Sequence, residues 1–321
     1  MAELITPLPG QELPVSAVEK RLRQMWEVDG EASPSHFRAS QMNIVLHFGL
    51  QVSPAEALEA FNTLLRFVQR YPGRIIVLCP SETRQDGSMG AKLFSQCYIG
   101  PSQREMCCCE ALMLTFEPED CGHLANQVSV WLESDLPTYH WFMKVPETRI
   151  LKYSDNLLKG VRRIVYDGSL EQSDLQSLDW PRPQGVRDLA QARLLPIRQS
   201  LGQFLSGFPM AGLLDGLTGI RLGHAPERKG EAIRLAEWLG SCLGGKFKIQ
   251  TGLFEAASPQ AEPLQLNMLW DYADDRYLKW ELYCEGERAR FDFKFGAGAK
   301  SFMTQLKPLA PEQALAEALF F

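Results

Sequence analysis

The chain has 321 residues, 45% of them hydrophobic and 22% charged, with a formal net charge of −6. Such proportions belong to folding globular proteins and exclude a disordered or fibrous chain, and the length suits two domains. An acidic balance without any block of Lys or Arg leaves no footprint for nucleic-acid binding by counterion release.

The opening residues, Met1 to Gly10, lack the positive start and apolar stretch of a secretory signal. Nothing later reaches the roughly 18 apolar residues of a membrane span, so a cytoplasmic protein with no membrane partner is expected. The eight cysteines are thinly spread, unlike the dense framework of a small secreted domain.

In chain order, a Pro-rich start precedes an amphipathic helix over Val15–Trp26 and a polar loop through Ser33-Pro34-Ser35. Residues 1–41 thus read as an N-terminal arm packed on the body. Met42 to Phe48 is a short apolar run ended by Gly49, which predicts a buried strand. Ser53-Pro54-Ala55-Glu56 is a capping box with Pro in the first turn, and it opens a helix carrying Leu58, Phe61, Leu65 and Val68 on one face. That helix stops at Tyr71-Pro72-Gly73, and Arg74 to Cys79 is the next strand, completing a β-α-β unit.

A polar loop from Pro80 to Gly90 leads to strands over Lys92–Ile99 and Cys107–Phe116, a helix over Glu119–Glu133 and a strand over Leu136–Met143. The pattern then predicts a helix over Ile150–Leu158, a strand over Arg162–Tyr166, and a long helix over Val186–Leu205 that Pro196 kinks or divides. Gly207-Phe208-Pro209 marks a boundary. Beyond it come a strand at Gly219–Leu222, a helix over Gly230–Leu243, and mostly strands. Alternation over Tyr277–Tyr283 and Arg288–Phe295, with Glu285-Gly286-Glu287 between, predicts a β-hairpin, and a helix over Pro311–Phe321 follows. The expected fold class is α/β in two parts. A mixed sheet with flanking helices fills residues 42–207, and a smaller α+β domain fills 208–321.

No group of His, Cys, Ser, Asp or Glu sits at a spacing that catalysis or a metal requires, and no cofactor is expected. Cys107-Cys108-Cys109 lies beside Cys97 and Cys121 but lacks the Cys-x-x-Cys spacing that converges on one ion. In a strand, neighbouring residues point to opposite faces. The triplet therefore reads as buried small hydrophobes, and any regulatory disulfide has to join one of the three to a residue such as Cys97 or Cys121. Phe295 to Ser301 ends in Lys-Ser but lacks the earlier Gly of a phosphate loop, and reads as a turn between strands. No Gly-x-Gly-x-x-Gly follows a strand.

The histidines, His36, His47, His123, His140 and His224, are scattered and read as structural. The aromatic stretch Tyr139-His140-Trp141-Phe142 is read as core, with an interface anchor as the alternative, because Trp and Tyr concentrate at protein contacts.

Several strings in order resemble the OpcA family, the bacterial glucose-6-phosphate dehydrogenase assembly proteins. They are Arg70-Tyr71-Pro72-Gly73-Arg74-Ile75-Ile76-Val77-Leu78, Cys109-Glu110-Ala111-Leu112-Met113-Leu114, Asp135-Leu136-Pro137 running into His140-Trp141-Phe142, and Asp188 to Arg198 of the form Asp-Leu-x-x-Ala-Arg. The resemblance spans roughly residues 40 to 205. It implies a non-catalytic partner that promotes assembly or activity of glucose-6-phosphate dehydrogenase as an allosteric effector in the oxidative pentose phosphate pathway. It also implies a link to the thiol state of the cell, as in some photosynthetic relatives. The interface candidates are Tyr139, His140, Trp141, Arg193 and Arg198. The redox candidates are Cys97, Cys107, Cys108, Cys109 and Cys121. The competing reading is a sugar-phosphate-binding module or enzyme built on scattered basic residues, Arg193, Arg198, Arg221 and Lys300, since guanidinium groups bind phosphate through paired donors.

Overall fold

An apolar run without alternation, such as Met42–Phe48, suits a strand covered on both faces, because a half-solvated strand would place every second side chain in water. In the computed structural model all seven of those residues are buried. Described are residues 3–26, 40–81, 89–98, 107–118, 121–171, 173, 175–245, 249–254, 263–283 and 287–321. The chain divides into two units, one of Met1–Asp188 with Leu315–Phe321 and the other of Leu189–Ala314.

The first unit contains β1 (Gln11–Pro14), α1 (Val15–Trp26), β2 (Met42–Phe48), α2 (Pro54–Val68), β3 (Gly73–Pro80), β4 (Gly90–Tyr98), β5 (Cys107–Phe116), α3 (Cys121–Trp131), β6 (Thr138–Met143), α4 (Glu147–Tyr153), β7 (Arg163–Tyr166) and β8 (Val186–Asp188). One eight-stranded sheet has the order β1-β4-β5-β3-β2-β6-β7-β8. The six strands from β5 to β8 are mutually parallel, and β4 and β1 extend the edge by antiparallel pairing. Numbered by their own succession in the chain, those six run 3-2-1-4-5-6, the order of doubly wound dinucleotide-binding folds. The sheet changes direction of growth between β2 and β6.

The N-terminal residues are held on this body. Leu4, Ile5 and Leu8 are buried, and Lys92 Nζ donates to the carbonyls of Ile5 at 3.0 Å and Leu8 at 2.9 Å. At the far end of the sequence Phe320 packs its ring against Tyr71 at 4.8 Å and Phe67 at 6.0 Å. It belongs to α9 (Pro311–Phe320).

The second unit contains α5 (Leu189–Arg193), α6 (Leu195–Leu205), α7 (Met210–Leu214), β9 (Leu217–His224), α8 (Lys229–Cys242), β10 (Ile249–Leu253), β11 (Leu264–Tyr272), β12 (Tyr277–Tyr283), β13 (Arg288–Lys294) and β14 (Lys300–Gln305). Its sheet has the order β10-β9-β11-β12-β13-β14, with only the β9–β10 pair parallel. One face carries Ile220, Leu222, Met268, Trp270, Leu278, Trp280 and Phe291 into a core shared with Ile197 and Leu201 of α6 and Leu235 and Leu239 of α8. The opposite face is polar, with Arg221 paired to Asp271 at 3.0 Å and Lys279 to Glu281 at 2.8 Å.

The fold is α/β in two parts, as the sequence predicts. The helix expected over Val186–Leu205 begins only at Leu189, and it is divided just ahead of Pro196, as the sequence predicts. Val186–Asp188 is instead strand β8, in register with Ile164–Tyr166 of β7, and the helical residues that follow break at Leu194. Pro196 lies in the first turn of α6, where its missing N–H costs nothing. The division between units consequently falls after Asp188 and not at Gly207. Helix α4 starts at Glu147, ahead of the expected Ile150, and ends at Tyr153. The loops at Ser33–Ser35 and most of Pro80–Gly90, and most of the turn Glu285-Gly286-Glu287, lie outside the described residues. Strands β12 and β13 flank that turn in antiparallel register, Leu282 opposite Ala289.

Candidate functional site at the carboxyl ends of the first sheet

In an open parallel sheet, ligands sit outside the carboxyl ends of the strands where the order reverses. Here that place lies between β2 and β6. The anchor such a site offers is the amino end of the first crossover helix, whose free N–H groups and dipole attract an anion. That helix is α2.

The chain fills this crevice with its own groups. Gly49, immediately after β2, donates its N–H to the Met143 carbonyl at 2.8 Å. A Cβ at Gly49 would lie 1.8 Å from the Lys144 oxygen, so only glycine lets the two strand ends close. Lys144 itself has a φ of 54°, a left-handed conformation that non-glycine residues adopt only when their surroundings enforce it. Its N–H donates to Glu171 Oε1 at 2.9 Å, and its Nζ reaches Glu56 Oε1 at 2.5 Å. Glu56 Oε2 accepts from both the N–H and the hydroxyl of Ser53 at 2.9 Å, and Ser53 Oγ accepts the Glu56 N–H at 3.3 Å. The helix end therefore already holds an anion, the carboxylate of Glu56. Burial works to raise the pKa of that carboxyl, but the bonds from Lys144 and Ser53 outweigh it and hold the group below its ordinary value.

Glu171 behaves in the opposite way. Burial pushes its pKa up to about 7, with Asp167 and Asp188 adding to the rise and the Lys144 N–H opposing it. Asp188 Oδ1 accepts the Gly168 N–H at 2.8 Å, and Asp167 Oδ1 the Ser169 N–H at 3.0 Å. Among the described residues no three His, Cys, Asp or Glu side chains gather as a metal site.

Next to the crevice, inside the sheet, His47 Nδ1 and His140 Nε2 are 3.2 Å apart. Rings of Phe116, Phe142 and Tyr153 surround His47. Burial, with each other's charge as a second cause for His47, keeps both imidazoles neutral. His140 is lowered to about 3 and His47 well below its ordinary value. One ring donates its N–H and the other accepts, so the pair is a structural link between β2 and β6.

The interface candidates on β6 are corrected by this placement. Tyr139, His140 and Trp141 are 4%, 0% and 6% exposed. β6 lies between β2 and β7 in the middle of a sheet buried on both faces, where a partner cannot reach. Arg193 is engaged inside the second unit. Its Nε donates to Glu231 Oε1 at 2.8 Å, and the same oxygen accepts from Arg228 at 3.1 Å. Arg198 is half-buried on α6. Arg221 and Lys300 stand on β9 and β14, separated by three intervening strands, roughly 19 Å at the usual strand spacing. The four scattered basic residues therefore do not converge on one site.

Among the redox candidates, Cys97 and Cys108 face each other across β4 and β5 and are joined by a disulfide. This replaces the reading of Cys108 as a small buried hydrophobe. Cys109 is buried and lies outside the disulfide. The backbones of Cys107 and Cys121 belong to β5 and α3, while their side chains lie outside the described set. The sequence signalled Gly49 and the Ser53–Glu56 box. It carried no sign of Lys144, whose partner lies 88 residues away.

The family model for the glucose-6-phosphate dehydrogenase subunit N-terminal domain, that of the OpcA assembly family, matches residues 66–179. That stretch runs from the end of α2 to the residues before β8, all within the first unit. No curated protein matches the chain. Two solved structures are similar in outline. Glucose-6-phosphate 1-dehydrogenase from Mycobacterium avium has a TM-score of 0.41 and 10% identity, covering 87% of this chain and 86% of that one. The transcriptional regulator Gal80p from Kluyveromyces lactis has a TM-score of 0.44 and 11% identity, covering 88% and 82%. At such scores neither likeness carries weight for function.

Proposed function

We propose that this chain, a member of the OpcA family by the match over residues 66–179, is a non-catalytic partner of glucose-6-phosphate dehydrogenase that promotes its assembly or activity. The family match is the observation that carries the reading. The crevice supports it, because the position best suited to a dinucleotide phosphate is occupied by Glu56, which Lys144 and Ser53 bind in place. An entering phosphate would have to displace an ion-paired carboxylate and break the helix cap.

The mechanism follows from differential affinity. A partner that binds the active oligomer of the enzyme more tightly than the inactive form shifts that equilibrium, and equal affinity for both shifts nothing. Raising the active fraction from about one tenth to about nine tenths requires roughly 80-fold preference for the active form. This reading places the protein in the cytoplasm and in the oxidative pentose phosphate pathway. No helix among the described residues is long and apolar enough to cross a membrane.

The test is co-purification of the chain with the cognate dehydrogenase, together with enzyme activity titrated against it. A complex with raised activity or a larger oligomer is expected. Absence of any complex at micromolar protein, with unchanged kinetics, overturns the proposal.

A further inference from the structure

Four arginines, Arg162, Arg163, Arg182 and Arg187, gather at the amino ends of β7 and β8, the opposite end of the sheet from the crevice. Elsewhere in this acidic chain arginines meet carboxylates, as in Arg193–Glu231, Arg221–Asp271 and Arg276–Asp274. These four do not. Arg182 Nη2 donates to the Val161 carbonyl at 2.6 Å, and Arg187 Nη1 to those of Gln184 at 2.8 Å and Val186 at 2.9 Å. Arg163 donates to the Ala318 carbonyl at 3.0 Å and lies 3.5 Å from the Phe321 oxygen. Arg162 is exposed, and among the described residues its guanidinium has no side-chain partner. The carbonyl bonds of Arg182 and Arg187 fix their guanidinium groups in place without neutralising them, and each still has N–H groups to offer.

Like charges this close repel. Burial, then the nearby charge of Arg187 and, more weakly, that of Arg162, hold the Arg163 pKa below its ordinary value. Three of the four, Arg162, Arg163 and Arg182, line one notch of about 30 Å³ whose remaining walls include Leu158, Val161 and Ile164. Apolar walls lower the local dielectric and strengthen the attraction for an anion. The notch opens to solvent, so an anion can enter it.

We propose that this notch is a binding site for a phosphate-class oxyanion, held by Arg162, Arg163 and Arg182 with Arg187 adding charge. Guanidinium forks match phosphate oxygens in pairs, and binding relieves the repulsion among the four. The site is independent of the dehydrogenase reading, since it is defined by groups of this chain alone.

Calorimetric titration of the full chain with sodium phosphate, with glycerol 3-phosphate, and with sodium chloride at matched ionic strength tests the site. Saturable binding of phosphate or of its ester, absent with chloride, is expected. Tighter binding of the ester assigns the site to the head group of a phosphomonoester, and tighter binding of free phosphate assigns it to the inorganic anion. Arg162→Gln, which breaks no side-chain bond among the described residues, should weaken the binding about tenfold, while Arg221→Gln on the second sheet leaves it unchanged. No heat above the chloride baseline with the wild-type chain overturns the proposal. Equal loss in both variants does so too, because it would reduce the effect to overall charge.

Discussion

Replacing Gly49 by alanine tests whether the strand ends at the crevice are closed as tightly as the geometry says. The new Cβ would stand 1.8 Å from the Lys144 oxygen, 2.5 Å from its carbonyl carbon and 2.9 Å from the Val145 nitrogen. All three are backbone atoms, so no side chain can swing aside. Restoring ordinary contact at 3.4 Å requires the strand ends to part by about 1.6 Å, and the 2.8 Å bond from Gly49 to Met143 cannot survive that. Overpacking of this kind costs about 1–3 kcal/mol, and the lost hydrogen bond about 1 kcal/mol more. Gly49→Ala should therefore destabilise the first unit by about 2–4 kcal/mol, a large part of the stability of an ordinary domain. Because the two units need not unfold together, native-state hydrogen exchange is the suitable assay. Amides of β2 and β6 should lose this protection while those of β12 keep theirs. Gly202→Ala, in α6 with open space around its Cβ, should instead gain about 0.5–1 kcal/mol. If Gly49→Ala leaves the β2 and β6 amides within about 0.5 kcal/mol of wild type, the account of the closed crevice is wrong.

Glu171 has a folded pKa raised to about 7, so its contribution is fully present below the ordinary carboxyl value and is lost as pH rises through 7. Glu171→Gln keeps an acceptor for the Lys144 N–H and should remove this dependence, gaining up to about 3 kcal/mol on wild type above pH 7; parallel stability–pH curves for the two proteins would refute the assignment. The histidine pair has the opposite sign. Both folded pKa values are depressed, so stability is full above about pH 6.5 and declines as pH falls, and NMR should find no His140 titration until close to pH 3; an imidazole titrating near 6.5 contradicts the buried pair. The disulfide between Cys97 and Cys108 spans 11 residues of sequence, and replacing both by serine should cost up to about 3 kcal/mol. Dithiothreitol should lower the wild-type melting temperature to match. Mass spectrometry that finds both thiols free in protein purified without reductant would remove that expectation.

The first unit was legible because its signals are local. Continuous burial of β2, the capping box of α2 and the Pro72-Gly73 stop each sit in a few consecutive residues. The short elements failed for the same reason. Val186-Arg187-Asp188 has no pattern that separates it from the helix after it, and only its pairing with β7 makes it a strand. Tyr139-His140-Trp141 looks equally aromatic in a core or at an interface, and the position of β6 between β2 and β7 decides which. The disulfide partner of the cysteine triplet depended on register, Cys97 opposite Cys108. Lys144, and the meeting of Arg162, Arg163, Arg182 and Arg187, come from loops and strand ends that only the folded sheet brings together.

The chain leaves its first unit after Asp188 and comes back at Leu315, so the second unit is an insertion within the first. During synthesis, every residue of Leu189–Ala314 is available before Phe320 can pack against Phe67, Tyr71 and Tyr139. The inserted unit can thus finish folding while its host still exposes the apolar patch meant for that last helix. A fragment cut after the family-matched region leaves the same patch bare. An isolated first unit needs residues 315–321 rejoined to it, through a short linker after Asp188, before its solubility or its partner binding reports on the native surface.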